Sequence, residues 1–168
     1  MLSPHLRIAS TLFALALVST SLSAAEPDPL ANLGKAADNK IFAQTIVNDV
    51  MAAHSELVVI GLHTIAPGAK DETMIATNLD RIGKKDDDDD IAVATERKTI
   101  CAPNLKDPTR FEVQVPMMDK AGDVIGAIGL VFKYKAGDDE VALHKKALKI
   151  RAEIAARLAS KDDLFKTS

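Results

Sequence analysis

Apolar residues recur with the period of an amphipathic helix in two parts of the chain. Within residues 40–57 they stand three or four residues apart, and near the C-terminus they do so again. A stripe with this spacing places its members on one face of a helix. The pattern predicts a long N-terminal helix and a C-terminal helix. The two stripes consist of Phe42, Ala43, Ile46, Val47, Val50 and Met51, and of Leu143, Ala147, Ile150, Ile154 and Leu158.

Strand-like segments lie between these two helices. Residues 57–65 and 124–134 are apolar and rich in β-branched side chains, residues 74–78 and 99–102 are shorter runs, and residues 111–115 alternate strictly between apolar and polar. Turn-forming residues join the first run to the run at 74–78 and the alternating run to the run at 124–134. Each of these two pairs is therefore expected to form an antiparallel hairpin.

A short helix is expected between the second and third strands. Residues 78–85 show no period, and the consecutive aspartates Asp86 to Asp90 then precede residues 91–97. Acidic side chains in a first helical turn complement the helix dipole. The aspartates lack the D-x-D-x-D-G spacing of a calcium loop, so we expect a solvated charge run that starts a helix.

The order of these elements predicts an α+β fold. It has a five-stranded antiparallel sheet, a long N-terminal helix, a short helix after strand 2 and a C-terminal helix. Gly126 and Gly129 interrupt the last strand. Because glycine weakens a strand, we expect a bulge there or a group that lies close to the backbone.

The N-terminus has the pattern of a secretory signal. Arg7 precedes the apolar run 8–18, and small residues end at Ala25. Crossing a bilayer takes roughly 20 apolar residues, so we expect a cleaved leader rather than an anchor, and hence a periplasmic protein without membrane contact. We expect residues 26–38 to be a flexible lead-in and residues 39–168 to be a single domain.

Composition narrows the functional classes. The chain of 168 residues has 21 Lys plus Arg against 24 Asp plus Glu, so it lacks the basic surplus that nucleic-acid binding requires. Cys101 is the one cysteine, which excludes an internal disulfide framework; it is an inert hydrophobe if buried and open to intermolecular pairing if exposed. No nucleophile motif, phosphate-binding loop or paired-histidine spacing is present. We therefore expect no enzyme activity, catalytic residue, metal or cofactor.

Two segments resemble Cache domains, the extracytoplasmic relatives of the PAS fold. One is the Ala-Thr-Asn step at 76–78 that leads into Arg-Ile-Gly-Lys at 81–84, and the other is the hairpin sequence VPMMDKAGDVIGA at 115–127. The resemblance spans about residues 38–134. It implies a sensor-type domain whose ligand pocket is bordered by the loop after the second strand. No second apolar segment or signalling module follows, so we expect a free-standing version rather than a membrane receptor.

Four residues of that loop are candidate ligand contacts. The planar guanidinium of Arg81 could hold a carboxylate through two parallel hydrogen bonds, with Lys84 adding positive charge, or Arg81 could instead pair with nearby aspartates on the surface. Asn78 and Thr77 could orient a polar ligand, or they could cap a turn.

Two further candidates lie on the sheet. His63 stands in the first strand, on the same face as Leu57, Val59 and Ile65, where it could meet a ligand or be hydrogen-bonded within the fold. Gln114 comes from the alternating strand. The sequence thus predicts a small-molecule ligand, possibly one that carries a carboxylate. The alternative is a ligand-free interaction module in which the apolar stripes of the terminal helices build a homodimer.

Overall fold

A computed structural model describes residues 36–168. The helices are α1 (Phe42–Ala53), α2 (Asp88–Glu96) and α3 (Glu140–Ala155), with 3-10 turns at Ala36–Asp38 and Lys161–Phe165. The strands are β1 (Leu57–Ile65), β2 (Glu72–Thr77), β3 (Ile100–Pro103), β4 (Arg110–Met118) and β5 (Val124–Lys133). The expected signal segment and most of the expected lead-in lie outside the described residues. None of the helices between residues 36 and 168 is long and apolar enough to cross a membrane.

The five strands form one antiparallel sheet in the order β2-β1-β5-β4-β3. Neighbours in the chain pair as hairpins, β1 with β2 and β4 with β5, as the turn-forming residues predict. Pairing of β1 with β5, two strands that are distant in sequence, joins the two hairpins into one sheet. The predicted α+β fold with three helices is confirmed.

One face of the sheet carries the main core. Helix α1 packs on β1 and β2, and α3 packs on β4 and β5. The apolar stripes of both helices are therefore buried within the chain, and they are not free to build a homodimer as the alternative hypothesis requires. The buried members of these stripes are Ala43, Ile46, Val47, Val50, Leu143, Ala147, Ile150, Ile154 and, just after α3, Leu158.

The opposite face of the sheet is covered in part by α2. This helix begins at Asp88, within the aspartate run expected to start it, and the side chain of Asp87 caps it by accepting a hydrogen bond of 3.3 Å from the backbone N–H of Asp90. Val93 of α2 is fully buried. The rest of this face is left to the segment between β2 and α2, which contributes to the site.

A bulge distorts the hairpin of β4 and β5 at Gly126, as the sequence predicts. The register shifts between Met117 and Met118, and Gly126 has a φ of 153°. A Cβ atom at this position would lie 2.0 Å from the carbonyl oxygen of His63. Only glycine allows β1 and β5 to approach so closely here. Cys101 lies exposed on the edge strand β3, which leaves intermolecular pairing open.

Candidate functional site

A cavity of about 210 Å³ lies on the sheet face opposite α1 and α3. Its floor comes from β1, β5 and β4, and its rim comes from the segment between β2 and α2. Four of the six candidate ligand contacts line it together: His63, Arg81, Lys84 and Gln114. Apolar side chains complete the wall, among them Leu79 and Val131.

Leu57 and His63 face opposite sides of the sheet because of an irregularity in β1. The pairing of β1 with β5 shifts register between Leu57 and Val59. Leu57 therefore belongs to the core of the other face, and the expectation that it shares a face with His63 is wrong. Val59, two residues before the buried Gly61, lines the cavity with His63.

Two glycines form the floor beneath the imidazole. Gly61 on β1 and Gly129 on β5 are paired directly across the strands. A Cβ atom on Gly61 would lie 2.8 Å from His63 Nε2, and one on Gly129 would lie 3.8 Å from it. The ring therefore fills space that a side chain on Gly61 would occupy. His63 Nε2 has no hydrogen-bond partner among residues 36–168.

Asp86 holds the other ring nitrogen of His63. Residues 83–86 run beside β2, because the backbone of Met74 accepts from Gly83 N at 2.8 Å and donates to Lys84 O at 2.9 Å. The backbone N–H of Asp86 in turn donates to Glu72 O at 3.2 Å. This pairing places the Asp86 carboxylate, whose side chain is 1% exposed, 2.6 Å from His63 Nδ1.

A second carboxylate approaches the same nitrogen from α2. Asp90 Oδ2 lies 3.7 Å from His63 Nδ1, and Gln114 Nε2 on β4 donates to Asp90 Oδ1 at 3.1 Å. The expectation of a solvated aspartate run is therefore wrong for Asp86 and Asp90, which are buried, and right for the exposed Asp88. Asp86 precedes the helix and is placed by its pairing with β2, so no spacing within the aspartate run predicts that the two carboxylates meet.

Burial and mutual charge perturb this group of side chains. Burial alone would lower the pKa of His63, but the hydrogen bond to Asp86 and the charge of Asp90 outweigh it and raise that pKa above 6.5. Burial also raises the pKa of Asp90, although the charge of His63 opposes it. For Glu72, burial and the nearby Asp86 raise the pKa from 4.5 to about 7. The site thus holds more negative charge than His63 balances.

Two buried polar atoms in the site have no partner within residues 36–168. Asp86 Oδ2 and Gln114 Oε1 are inaccessible to solvent and make no hydrogen bond with that part of the chain. Such atoms are uncommon in folded proteins and call for an explanation, such as a missing ion or ligand. The other polar atom of each side chain is engaged: Asp86 Oδ1 is bonded to His63 Nδ1, and Gln114 Nε2 donates to Asp90 Oδ1.

The cations on the rim are unpaired within the described chain. Arg81 and Lys84 form no ion pair within 4.0 Å with any of residues 36–168. The alternative in which Arg81 pairs with a surface aspartate is therefore not what the structure has. Arg81 is exposed and Lys84 is half-buried, so both side chains can reach a ligand in the cavity.

Asn78 and Thr77 bind within the fold. The side chain of Asn78 accepts from Ile60 N at 3.0 Å and donates to Val58 O at 3.0 Å. Thr77 Oγ1 accepts from Leu79 N at 3.3 Å. The contact of Thr77 matches the alternative in which it caps a turn, whereas Asn78 bonds to the backbone of β1; neither residue lines the cavity.

A larger groove of about 660 Å³ continues from the cavity toward β3. It shares Arg81, Lys84 and Gln114 with the cavity and is bounded on the far side by the loop after β3. A ligand longer than the cavity can therefore extend into the groove without displacing the sheet.

Comparison with known proteins gives only distant similarities of shape. No protein-family model and no curated protein sequence matches the chain. Among solved structures, a GAF sensor protein from Burkholderia vietnamiensis is similar at 16% identity and a TM-score of 0.48, over 83% of this chain and 81% of that one. The Agobacterium tumefaciens repressor BlcR is similar at 10% identity and a TM-score of 0.48, over 79% of this chain and 70% of that one.

A third similar structure is Pseudomonas aeruginosa HmgR, at 12% identity over 78% of this chain and 69% of that one. None of these three proteins is named as a Cache domain, so the Cache resemblance stays a prediction. Identities this low do not transfer a ligand or an activity from one protein to another.

Proposed function

We propose that this chain is a non-catalytic, sensor-type domain that binds a small, carboxylate-bearing molecule in the cavity above Gly61 and Gly129. The observation that carries the proposal is the orientation of His63. Its Nδ1 is held by the buried Asp86, while its Nε2 lies over Gly61 and Gly129 of the cavity floor and has no hydrogen-bond partner among residues 36–168. The imidazolium form, which the two neighbouring carboxylates favour, presents Nε2–H as a donor in a fixed direction.

Charge on the rim favours an anionic group in the ligand. Arg81 and Lys84 stand at the mouth of the cavity with no ion pair of their own. A guanidinium matches a carboxylate through two parallel hydrogen bonds, and an ammonium adds a point charge. Arg81, Lys84 and His63 together offer three donor groups to one carboxylate.

The carboxylates of the site restrict which anions fit. Asp90 is held by Gln114, and the amide of Asn104 donates to Glu112, so both acids are engaged on the cavity wall. Their charge disfavours a strongly anionic ligand such as a phosphate ester and favours one with a single carboxylate beside apolar or donor groups. The volume of about 210 Å³ lies below the roughly 300–1,000 Å³ of drug-sized sites.

Thermal unfolding tests the proposal directly. The purified protein is heated in a chelator with each of a panel of short carboxylic acids and amino acids. A ligand that binds only the folded state stabilises it by about 2.7 kcal/mol at a hundredfold excess over Kd, which shifts the midpoint by several degrees. We expect a saturable shift that Arg81→Ala abolishes and that Arg151→Ala, on α3 and behind the sheet, leaves intact.

A panel without any shift would contradict the ligand-binding function. An equal shift in wild type and Arg81→Ala would remove the role given to Arg81. Export is a separate part of the proposal and rests on the signal pattern of residues 1–25. It is tested by N-terminal sequencing of protein recovered from the periplasm, for which we expect a chain that begins at Glu26.

A further inference from the structure

His63, Asp86 and Asp90 form a cluster that offers three potential ligand atoms for a metal ion. Its three ligating side chains come from β1, from the segment beside β2, and from the first turn of α2. Their potential ligand atoms lie within 4.8 Å of one another, and all three residues are buried. We propose that His63, Asp86 and Asp90 form a binding site for one divalent first-row transition metal ion such as Zn²⁺ or Mn²⁺.

The donor set suits such an ion. One imidazole nitrogen and two carboxylates are ligands for Zn²⁺ and Mn²⁺, whereas Ca²⁺ and Mg²⁺ prefer oxygen alone. Two carboxylates also neutralise the charge of the ion, which a buried site requires. The proposal departs from the expectation of no metal in the sequence analysis; the three ligands are spread over three segments and have no motif spacing, so no metal motif announces them.

The distances require only a small adjustment. Two donors bound at about 2.1 Å to a tetrahedral ion are about 3.4 Å apart. His63 Nδ1 and Asp90 Oδ2 are already 3.7 Å apart, and His63 Nδ1 and Asp86 Oδ1 must separate from 2.6 Å. Binding displaces the Nδ1 proton to solvent, and the ion takes its place between the ring and the carboxylates.

A second, independent observation points to a missing cation. Asp86 Oδ2 is buried without any hydrogen-bond partner, in a side chain that is 1% exposed. Gln114 Oε1 is likewise unpartnered, beside Asp90. A protonated His63 can donate a hydrogen bond from Nδ1 to one oxygen of Asp86, which leaves the other oxygen without a donor among residues 36–168. A metal ion can be bound by either oxygen, and it offers open positions for water.

The surplus of acids around the site is consistent with this assignment. Two buried carboxylates, those of Asp86 and Asp90, stand against the single imidazole of His63. A divalent ion supplies the second positive charge. The metal site does not depend on the proposed small-molecule function. The metal ion would bind Nδ1 of His63, whereas a ligand in the cavity would meet Nε2.

Metal titration of the tag-free, chelator-treated protein tests the site. Zn²⁺ and Mn²⁺ alone are added in separate calorimetric titrations, with Mg²⁺ as the hard-ion comparison. We expect one Zn²⁺ or Mn²⁺ per chain, and binding at least about 100-fold weaker in Asp90→Asn and in Asp86→Asn. Asp88→Asn, in the same aspartate run but exposed, is expected to bind as wild type does.

A second readout keeps the test valid if Asp86→Asn unfolds. Co²⁺ is added to the wild-type protein, and the absorption bands of the bound ion report a nitrogen and oxygen ligand field; the ring resonances of His63 are followed by NMR. We expect paramagnetic broadening of the His63 resonances first. Absence of stoichiometric Zn²⁺, Mn²⁺ and Co²⁺ binding would overturn the proposal, as would equal binding by Asp88→Asn and Asp90→Asn. The small-molecule panel is run in chelator, so the two proposals can fail separately.

Discussion

His63 and Asp86 are joined by a buried hydrogen bond of 2.6 Å between Nδ1 and a carboxylate oxygen, although 23 positions separate them in the chain. This contact fixes the orientation of the imidazole and turns Nε2 toward the cavity. It exists because the segment after β2 folds back along that strand. The proposed role of His63 in ligand binding depends on this hydrogen bond, and the proposed metal ion takes the place of its proton.

Replacing the partner of His63 is expected to change its protonation. In Asp86→Asn the carboxylate charge is lost, and burial, which disfavours the charged imidazole, is opposed only by the remaining acids. We expect the pKa of His63 to fall relative to wild type in an NMR titration of the ring resonances in chelator. Asp88→Asn serves as the control and should leave the pKa where it is. An unchanged value in Asp86→Asn would show that the hydrogen bond does not hold the imidazolium in solution.

Folding stability of the metal-free protein is expected to fall as the pH rises from about 5 to about 8. Glu72 has a pKa of about 7 in the folded protein against 4.5 as its ordinary value, because of burial and of Asp86 and Asp90, opposed by His63 and Lys161. The folded state therefore binds more protons than the unfolded state in this range. His63, whose pKa is also raised, acts in the same direction.

The variant Glu72→Gln isolates the contribution of that carboxyl. In urea unfolding at several pH values in chelator, the free energy of unfolding of Glu72→Gln should fall less steeply with pH than that of wild type between about pH 4.5 and 7. Glu96→Gln, an exposed change on α2, should keep the wild-type slope. A free energy of unfolding that rises with pH over this interval in wild type would contradict the raised pKa of Glu72.

The glycine at the bulge is expected to tolerate no side chain. Gly126→Ala brings Cβ to 2.0 Å from the carbonyl oxygen of His63 and forces a φ of 153° on alanine. We expect a loss of about 3 kcal/mol or more in the free energy of unfolding, measured by urea denaturation. Gly137→Ala, with a φ of 98° and open space around it, should cost only about 1 kcal/mol. Similar losses in the two variants would show that strands β1 and β5 are less tightly apposed.

Asn78 is expected to act on stability rather than on ligand binding. Asn78→Ala removes both hydrogen bonds to the β1 backbone and leaves the N–H of Ile60 and the carbonyl of Val58 without these partners. We expect a loss of about 1–3 kcal/mol in the free energy of unfolding. The ligand-induced thermal shift should persist in this variant. Loss of the ligand-induced shift without loss of stability would assign Asn78 to the ligand after all.

Local patterns sufficed for most of the fold. The helical stripes, the turn at Asp119 to Asp123 and the alternation in β4 each depend on neighbours in sequence, and the corresponding elements are present. The pairing of β1 with β5 and the bulge in β1 that turns Leu57 into the core depend on contacts distant in sequence. Periodicity within one segment contains no information on them.

The site was predictable in part for the same reason. Arg81, Lys84, His63 and Gln114 were recognisable by residue type and by position on a strand or loop. Asp86 and Asp90 were hidden in a run of five acids, because which members of such a run are buried depends on where the helix begins and on how residues 83–86 pair with β2. Only the structure provides that pairing.

An NMR titration of backbone amides tests the ligand cavity most directly. The protein in chelator is titrated with a panel of short mono- and dicarboxylic acids, and the amide resonances of Gly61 and Gly129 report on the cavity floor. The account predicts saturable shifts at these two glycines and at the ring of His63 for at least one acid, with little change on α1 and α3. Shifts absent from both glycines across the panel, or confined to α1 and α3, would contradict it.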